Sequence, residues 1–335
     1  MPVSEREKTV RDEIIAIGKK LYRLRLVAAR AGNVSARLDE NTILITASGA
    51  SLGSLSVDDI VKVNLTKESQ LENRRLSTEF PLHSAIYKHF PVQTVIHCHP
   101  PLINGYFSVY SDLKPLTFET KLFLGNVQVV EQETPTVTRP ELVIEALKTN
   151  NLVVIKHHGV VSVGENFDEA LYLIETLEEA VKVAGIARLF KKEILDDLDS
   201  ELKGELTKED GIYPIFSREH IQAIVDLVNQ DEFIGEKGRE LNLTVKLAIQ
   251  LDGSGLVYKF TFEKGRITEL SFDDDAPFVI SAPCDIWELI FLGKLDPFVA
   301  VNQRKMQLKG DLLRLSCWYT PFSRLFELFK QVRIK

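Results

Sequence analysis

Residues 95–101 read VIHCHPP and carry His97 and His99, two of the chain's seven histidines, at the end of an apolar run. In an extended strand, residues two apart point to the same side, so the two imidazoles lie side by side while Cys98 faces away. Two imidazoles on one face indicate a metal site. The alternative is a pair of partly buried, hydrogen-bonded histidines at a strand end.

Length and composition limit the classes of protein to which the chain can belong. A chain of 335 residues exceeds one ordinary core, and at about 150 residues per domain it predicts two domains. A net charge of −7 with well-mixed signs argues against a nucleic-acid partner. The three cysteines form no CxxC pair, so histidine and carboxylate must hold any metal.

The first residues of the chain carry charge where a signal peptide would be apolar. Residues 1–13 read MPVSEREKTVRDE, and no apolar run in the chain approaches the roughly 18 residues of a membrane span. The sequence therefore predicts a cytoplasmic protein without a transmembrane segment.

Helical and strand patterns alternate along the first half of the chain, which predicts an α/β domain. Residues 5–27 have helical spacing, short strand patterns rich in Val, Ile and Thr follow, and residues 166–192 form a long amphipathic helix. A charged, weakly periodic segment then precedes a helix and several alternating strands. We expect a first domain over 1–195, a linker over 196–215 and a second domain over 216–335.

A second pair of histidines, His157 and His158, follows the strand pattern that begins at residue 151, in NLVVIKHHGVVSVG. We interpret this stretch as a strand that ends in HHG at a sheet edge, where the glycine permits a tight backbone. One of the two histidines can complete a three-histidine site, which leaves coordination positions open as in a catalytic zinc centre. Two ordinary strand-end histidines are the alternative.

Three loops with small and polar residues occur at RAGNVS (30–35), ITASGAS (45–51) and STE (77–79). Together such loops can cradle a phosphate without a Walker lysine, although each alone is also a plain turn or helix-start signal. Glu79 stands at the predicted start of a helix, where a helix cap is the simpler explanation. The other candidate residues of the three loops are Gly32, Asn33, Ser35, Ser48, Gly49, Ser77 and Thr78.

The order of these motifs, GNVS, ITxSG, STE, HxH and HHG, resembles the class II aldolase/adducin family over residues 8–190. The resemblance implies an α/β/α sandwich with a central, mainly antiparallel sheet. In the fuculose-phosphate aldolase branch of the family, the positions that match His97, His99 and His158 bind zinc. Zinc or another divalent metal is therefore the expected cofactor.

The same resemblance assigns roles to the remaining residues. It implies that Glu79 is the catalytic acid/base, and that Glu119, which stands where the fuculose-phosphate branch has a tyrosine, is a second proton carrier. The expected reaction forms or cleaves a ketose 1-phosphate, with dihydroxyacetone phosphate and an aldehyde as the products of cleavage, through a metal-stabilised enediolate. A homo-oligomer, by resemblance a tetramer, is expected. The positions that match the family's phosphate site are Gly32, Asn33, Ser48, Gly49, Ser77 and Thr78.

Other activities of the family stay open at this point. Its epimerases carry aspartate where this chain has Glu79, and its adducins lose the histidines, which argues against both. A sugar-phosphate dehydratase is harder to exclude, because that enzyme uses a glutamate that Glu119 could match. From a different class, a non-catalytic lipid-binding or scaffold protein would have an empty metal site.

The C-terminal part carries a second resemblance. GKLDPFVAVNQRKMQLKGDLLRL (293–315) follows a helical pattern and, with residues 216–335 as a whole, is similar to the sterol-carrier-protein domain. The resemblance implies an α+β fold around an apolar cavity. The domain then either binds an acyl or isoprenoid-like group or serves as a dry packing or oligomerisation module.

Overall fold

The structure is a computed structural model that divides into two compact units, Met1–Ile194 and Leu195–Lys335. Residues 196–211 of the predicted linker 196–215 lie outside the described residues. The described residues are 4–66, 76–132, 134, 136–137, 139–190, 212–311, 314–315 and 317–335.

The first unit is built on a seven-stranded sheet with the order β3-β2-β1-β4-β7-β6-β5. All neighbouring strands are antiparallel except β5 and β6. The strands are β1 (Asn33–Asp39), β2 (Thr42–Thr46), β3 (Ile60–Asn64), β4 (Thr94–Cys98), β5 (Gln128–Val130), β6 (Leu152–Ile155) and β7 (Gly159–Gly164). The helices are α1 (Glu5–Arg23), α2 (Phe80–His89), α3 (Pro101–Val109), α4 (Phe118–Phe123), α5 (Pro140–Leu147) and α6 (Phe167–Phe190).

Helices cover both faces of this sheet, because its strands are apolar on both sides. In β2, Leu44 enters the core under α1, α3 and α6, while Ile43 and Ile45 enter the core under α2 and α5. Alternate residues of a strand point to opposite faces, so each strand serves both cores. The predicted α/β/α sandwich with a mainly antiparallel sheet is confirmed.

The prediction of one strand ending in HHG was wrong, because the stretch 151–164 forms a hairpin of β6 and β7 inside the sheet. The turn spans residues 156–158, and His157 has a φ of 61°, a left-handed conformation that a side chain seldom adopts. Gly159 opens β7, and a Cβ on it would collide with the carbonyl oxygen of Cys98. The glycine therefore lets β7 begin in contact with the end of β4.

The second unit contains a five-stranded sheet with the order β11-β10-β9-β12-β13, in which only β9 and β12 run parallel. The short strands β8 and β14 form a separate parallel pair. The strands are β8 (Ile212–Tyr213), β9 (Val245–Leu251), β10 (Leu256–Glu263), β11 (Arg266–Ser271), β12 (Phe278–Ala282), β13 (Gln307–Lys309) and β14 (Arg333–Ile334). The helices are α7 (Arg218–Gln230), α8 (Glu232–Glu240), α9 (Cys284–Phe291), α10 (Pro297–Asn302) and α11 (Tyr319–Phe329).

Aromatic rings dominate the core of the second unit. Phe291 contacts the rings of Phe216, Trp287 and Phe329, and an apolar cavity opens next to this cluster. Its volume is about 10 Å³, about the space that one water molecule needs. The predicted α+β fold is confirmed for this unit. In the described part of the chain, no helix is both long and apolar enough to cross a bilayer.

Candidate functional site

Three imidazoles meet at the end of β4. His97 points to the side of the sheet that α2 covers, and Cys98 points into the opposite core, as the strand period predicts. The hairpin turn brings His158 to the same place. Each pair of the three rings has its centroids 4.8 Å apart, and the Nε2 atoms of His97 and His99 are 3.0 Å apart.

The protonation of the three rings fits a metal ion. His97 Nδ1 donates a hydrogen bond to the carbonyl oxygen of Val160 at 3.0 Å, which leaves a lone pair on Nε2. Burial lowers the pKa of His97 well below its ordinary value, lowers the pKa of His99 to about 4 and also lowers the pKa of His158. Neutral imidazoles are the form that binds metals, so the three histidines together form a candidate metal centre.

Glu79 lies beside this centre and makes no hydrogen bond to cap its own helix, although it occupies the N-cap position of α2. Its side chain is 5% exposed, and Oε1 lies 4.0 Å from Nε2 of His158. Both carboxylate oxygens accept from the backbone N–H of Val137, at 3.2 and 3.1 Å. Burial raises the pKa of Glu79, while the hydrogen bond from Val137 opposes that shift. Glu79 therefore lies beside the candidate metal centre and does not cap α2 through its side chain.

The first predicted phosphate loop adjoins the metal centre directly. Asn33 is the register partner of His97 across β1 and β4. Gly32 has a φ of +80°, and a Cβ on it would lie 2.8 Å from the carbonyl oxygen of His97. Glycine therefore lets the loop pass close to β4. Ser35 lies on the same face as Asn33 and is fully buried, with its hydroxyl 2.6 Å from Nδ1 of His83.

The other two predicted loops flank β2 and α2. Ser48 and Gly49 are exposed in the turn after β2, where Gly49 has a φ of +74°. Ser77 is buried, and its hydroxyl accepts from the N–H of Glu79 at 3.2 Å, while Thr78 is exposed. The roles of these residues in binding phosphate stay predictions.

Glu119 has no contact with the metal centre in the described part of the chain. It is exposed in the first turn of α4 and, among the described residues, forms no hydrogen bond or ion pair. Its role as a second proton carrier stays a prediction.

Sequence reasoning missed residues that the fold brings to the site. The Arg30 guanidinium has Nη1 4.0 Å from the position of a Cβ on Gly49, so it brings a positive charge to the second loop. Gln132 lies with Nε2 3.1 Å from Nδ1 of His158, and Asn104 donates to the carbonyl oxygen of His158. Arg30 adjoins GNVS in the sequence and was discoverable there, whereas the other two contacts depend on the tertiary fold.

Both resemblances are borne out by comparison with known protein families. The profile described as Class II Aldolase and Adducin N-terminal domain matches residues 12–184. The chain belongs to this family. The profile of the SCP-2 sterol transfer family matches residues 235–315, so this class II aldolase family member also carries an SCP-2 domain.

Two named activities occur among the relatives of the class II aldolase domain. The L-fuculose phosphate aldolase of Methanocaldococcus jannaschii is 30% identical over 182 residues, which are 54% of this chain and 98% of that protein. The 3-oxo-tetronate 4-phosphate decarboxylase of Pectobacterium atrosepticum is 27% identical over 184 residues, which are 53% of this chain and 84% of that protein. The chain is therefore similar to both groups across nearly the whole of their domain.

A solved structure gives the same result. The L-fuculose-1-phosphate aldolase of Thermus thermophilus aligns with a TM-score of 0.51 and 26% identity, over 57% of this chain and all of that one. Together the family, the relatives and this structure support a lyase-type enzyme.

Proposed function

We propose that this class II aldolase family member is a zinc-dependent aldolase that cleaves or forms a ketose 1-phosphate. The observation that carries the proposal is the juxtaposition of three neutral imidazoles with a buried carboxyl group 4.0 Å from one of them. The relatives named L-fuculose phosphate aldolase support the substrate class.

His97, His99 and His158 would hold the metal ion. When bound, a divalent metal supplies Lewis-acid stabilisation of the negative charge that develops on substrate oxygen atoms. The hydrogen bond from His97 to Val160 fixes that ring and its tautomer, so Nε2 faces the site in every turnover. Three nitrogen ligands leave room for the substrate, as a catalytic zinc centre requires.

Glu79 would transfer the proton to and from C3 of the substrate. In cleavage the C4 hydroxyl gives its proton to the second proton carrier, the C3–C4 bond of the ketose breaks, its electron pair stays on C3 and the other fragment leaves as an aldehyde. Glu79 then gives a proton to C3, and in the condensation direction it removes one. A carboxyl group whose pKa is raised by burial is suited to both steps, and Val137 holds its oxygens in place.

The phosphate group would lie against the loops at Asn33, at Ser48 and Gly49, and at Ser77 and Thr78. Arg30 adds the full positive charge that none of these five residues has. Its guanidinium reaches the Gly49 turn, so it can pair with a phosphate seated there.

Decarboxylation of a 3-oxo-tetronate 4-phosphate is the second candidate function, supported by the relatives of that name. Decarboxylation and aldol cleavage share the step in which a carbon next to a carbonyl group is protonated. Loss of CO₂ leaves an electron pair on the carbon next to the carbonyl, and protonation of that carbon gives dihydroxyacetone phosphate. The two functions differ only in whether an aldehyde or CO₂ departs.

One assay tests both candidates. The purified full chain, with its zinc content measured, is incubated with L-fuculose 1-phosphate and, separately, with 3-oxo-tetronate 4-phosphate. Dihydroxyacetone phosphate with an equal amount of aldehyde is the result expected for the aldolase. Release of CO₂ alone would favour the decarboxylase, and a dehydrated diketo product or an epimer would overturn both. Protein without bound metal and without any product would favour a non-catalytic scaffold.

We further propose that the SCP-2 domain binds an apolar ligand in its cavity. The family match and a lining made only of apolar side chains support this role. Because the cavity has only about 10 Å³, side chains that line it must move when a larger ligand enters. Displacement of a fluorescent fatty acid from the full chain tests this proposal, and absence of binding at micromolar ligand would favour a dry packing module.

A further inference from the structure

A chain of buried side-chain hydrogen bonds runs from α2 to Asn33 at the predicted phosphate site. Tyr87 Oη lies 2.9 Å from Ser35 Oγ, which lies 2.6 Å from His83 Nδ1. His83 Nε2 in turn lies 2.6 Å from Asn33 Oδ1. Ser35 and His83 are completely buried, so water does not compete for these bonds.

The Asn33 end of this chain sets the direction of its protons, because the amide oxygen faces His83 Nε2. The Tyr87 hydroxyl lies 2.9 Å from Ser35 Oγ and can donate to it when Ser35 donates to His83. Ser35 then donates to Nδ1 of His83, and the ring carries its one proton on Nε2, which donates to Oδ1 of Asn33. His83 is neutral, because burial lowers its pKa to about 3, so one ring nitrogen accepts while the other donates.

This chain of contacts holds the Asn33 amide in the observed orientation. Its oxygen is committed to His83, and its NH₂ group makes no hydrogen bond to any described residue. The two ends of an amide have nearly the same shape but opposite hydrogen-bonding roles. A flipped amide would turn its oxygen toward an anion, whereas the observed orientation leaves two N–H donors available to one.

We propose that Ser35, His83 and Tyr87 are positioning residues that hold the Asn33 amide with its NH₂ group toward the substrate phosphate. The inference rests on the proposed function, which places phosphate at Asn33. It explains why a serine of the GNVS motif is buried instead of exposed at the loop surface. None of the three residues touches the substrate, so each acts only through Asn33.

The test is a double-mutant cycle read by binding rather than by turnover. Dihydroxyacetone phosphate, the product common to both candidate functions, is titrated calorimetrically into the zinc-loaded full chain, with phosphate-free dihydroxyacetone as the matched probe. Ser35→Ala is expected to weaken dihydroxyacetone phosphate about five- to tenfold and to leave dihydroxyacetone unchanged. In an Asn33→Ala background, Ser35→Ala is expected to have no further effect.

A conservative pair at His83 provides the rescue. His83→Gln keeps an N–H near the position of Nε2 and is expected to retain affinity within about threefold, whereas His83→Leu is expected to lose about tenfold. Zinc content and thermal unfolding report on the folding of each variant. Equal losses for His83→Gln and His83→Leu, or additive losses in the Ser35 and Asn33 cycle, would overturn the positioning role. If the unsubstituted protein binds no dihydroxyacetone phosphate, the proposed function itself falls, and the inference falls with it.

Discussion

Glu79 shows how the fold adjusts a single candidate catalytic group. Its carboxyl is buried between α2 and the hairpin turn, which favours the neutral form, yet one backbone N–H from Val137 bonds to both of its oxygens. The sequence shows that a carboxylate follows Ser77 and Thr78, but it does not show where that carboxylate points. The hydrogen bond comes from a residue 58 positions away, which no local pattern indicates.

Replacement of Glu79 separates its chemistry from its packing. Glu79→Gln keeps the volume and keeps an oxygen that accepts from Val137, but it cannot exchange a proton with carbon. We expect kcat for release of dihydroxyacetone phosphate to fall by about 10²- to 10⁴-fold with zinc content unchanged. Steady-state kinetics with metal analysis of the same sample check this. A variant that keeps more than a tenth of the activity would exclude Glu79 as the proton carrier.

His220 in α7 gives the second unit a dependence on acid. Its side chain is fully buried, and burial lowers its pKa to about 4, so the folded protein keeps it neutral where an unfolded chain takes up a proton. The unfolded state thus binds more protons between about pH 6.5 and pH 4, and stability falls as pH falls through that window. From pH 7 to pH 5 the loss is about 2 kcal/mol.

The matched variant is His220→Leu, which has no group to titrate. We expect the thermal midpoint of the second unit to drop less between pH 7 and pH 5 in His220→Leu than in the unsubstituted protein. Calorimetric scans at the two pH values measure the difference. Parallel shifts in the two proteins would show that His220 does not cause the acid dependence.

At the scale of elements, the β6–β7 hairpin and the end of β4 build the candidate metal centre together. The strand pattern predicted β4 well, because a short run of Val and Ile bounded by a turn has few other solutions. The hairpin escaped prediction because its turn, Lys156 to His158, contains none of the Asn-Gly or Asp-Gly signals of short hairpins. His157 adopts the left-handed conformation instead, and Gly159 admits β4 at close range.

Gly159 is therefore expected to control metal binding without being a ligand. A Cβ there would meet the carbonyl oxygen of Cys98 and lie 2.9 Å from Cδ2 of His99. We expect Gly159→Ala to weaken zinc binding about 10- to 100-fold, as outer-shell changes do. Competition with a zinc chelator measures it. The control is Gly185→Ala on α6, where a Cβ meets nothing within 4 Å and zinc affinity should not change.

At the scale of the whole molecule, the chain combines two units that each have a core. The alternation of helical and strand patterns predicted the α/β class of the first unit, whereas the resemblance to the sterol-carrier-protein domain implied the α+β fold of the second. Such patterns do not predict pairs of polar side chains that are far apart in the sequence. The pair of Asp231 and Arg324 is an example, because it joins α11 to the start of α8 across 93 positions of sequence.

This buried pair provides a test of whether the units unfold separately. The Arg324 and Asp231 side chains are 5% and 8% exposed, and Nη2 of Arg324 lies 2.7 Å from Oδ2 of Asp231. Loss of one partner therefore leaves the buried charge of the other uncompensated. We expect Arg324→Ala to destabilise the second unit by about 3–5 kcal/mol while the transition of the first unit keeps its midpoint. The control, Lys330→Ala, breaks the exposed pair with Glu327 and should cost less than about 1 kcal/mol. Differential scanning calorimetry of the full chain, with zinc added to raise only the transition of the first unit, assigns the two peaks. A single transition that Arg324→Ala lowers as a whole would show that the two units unfold as one.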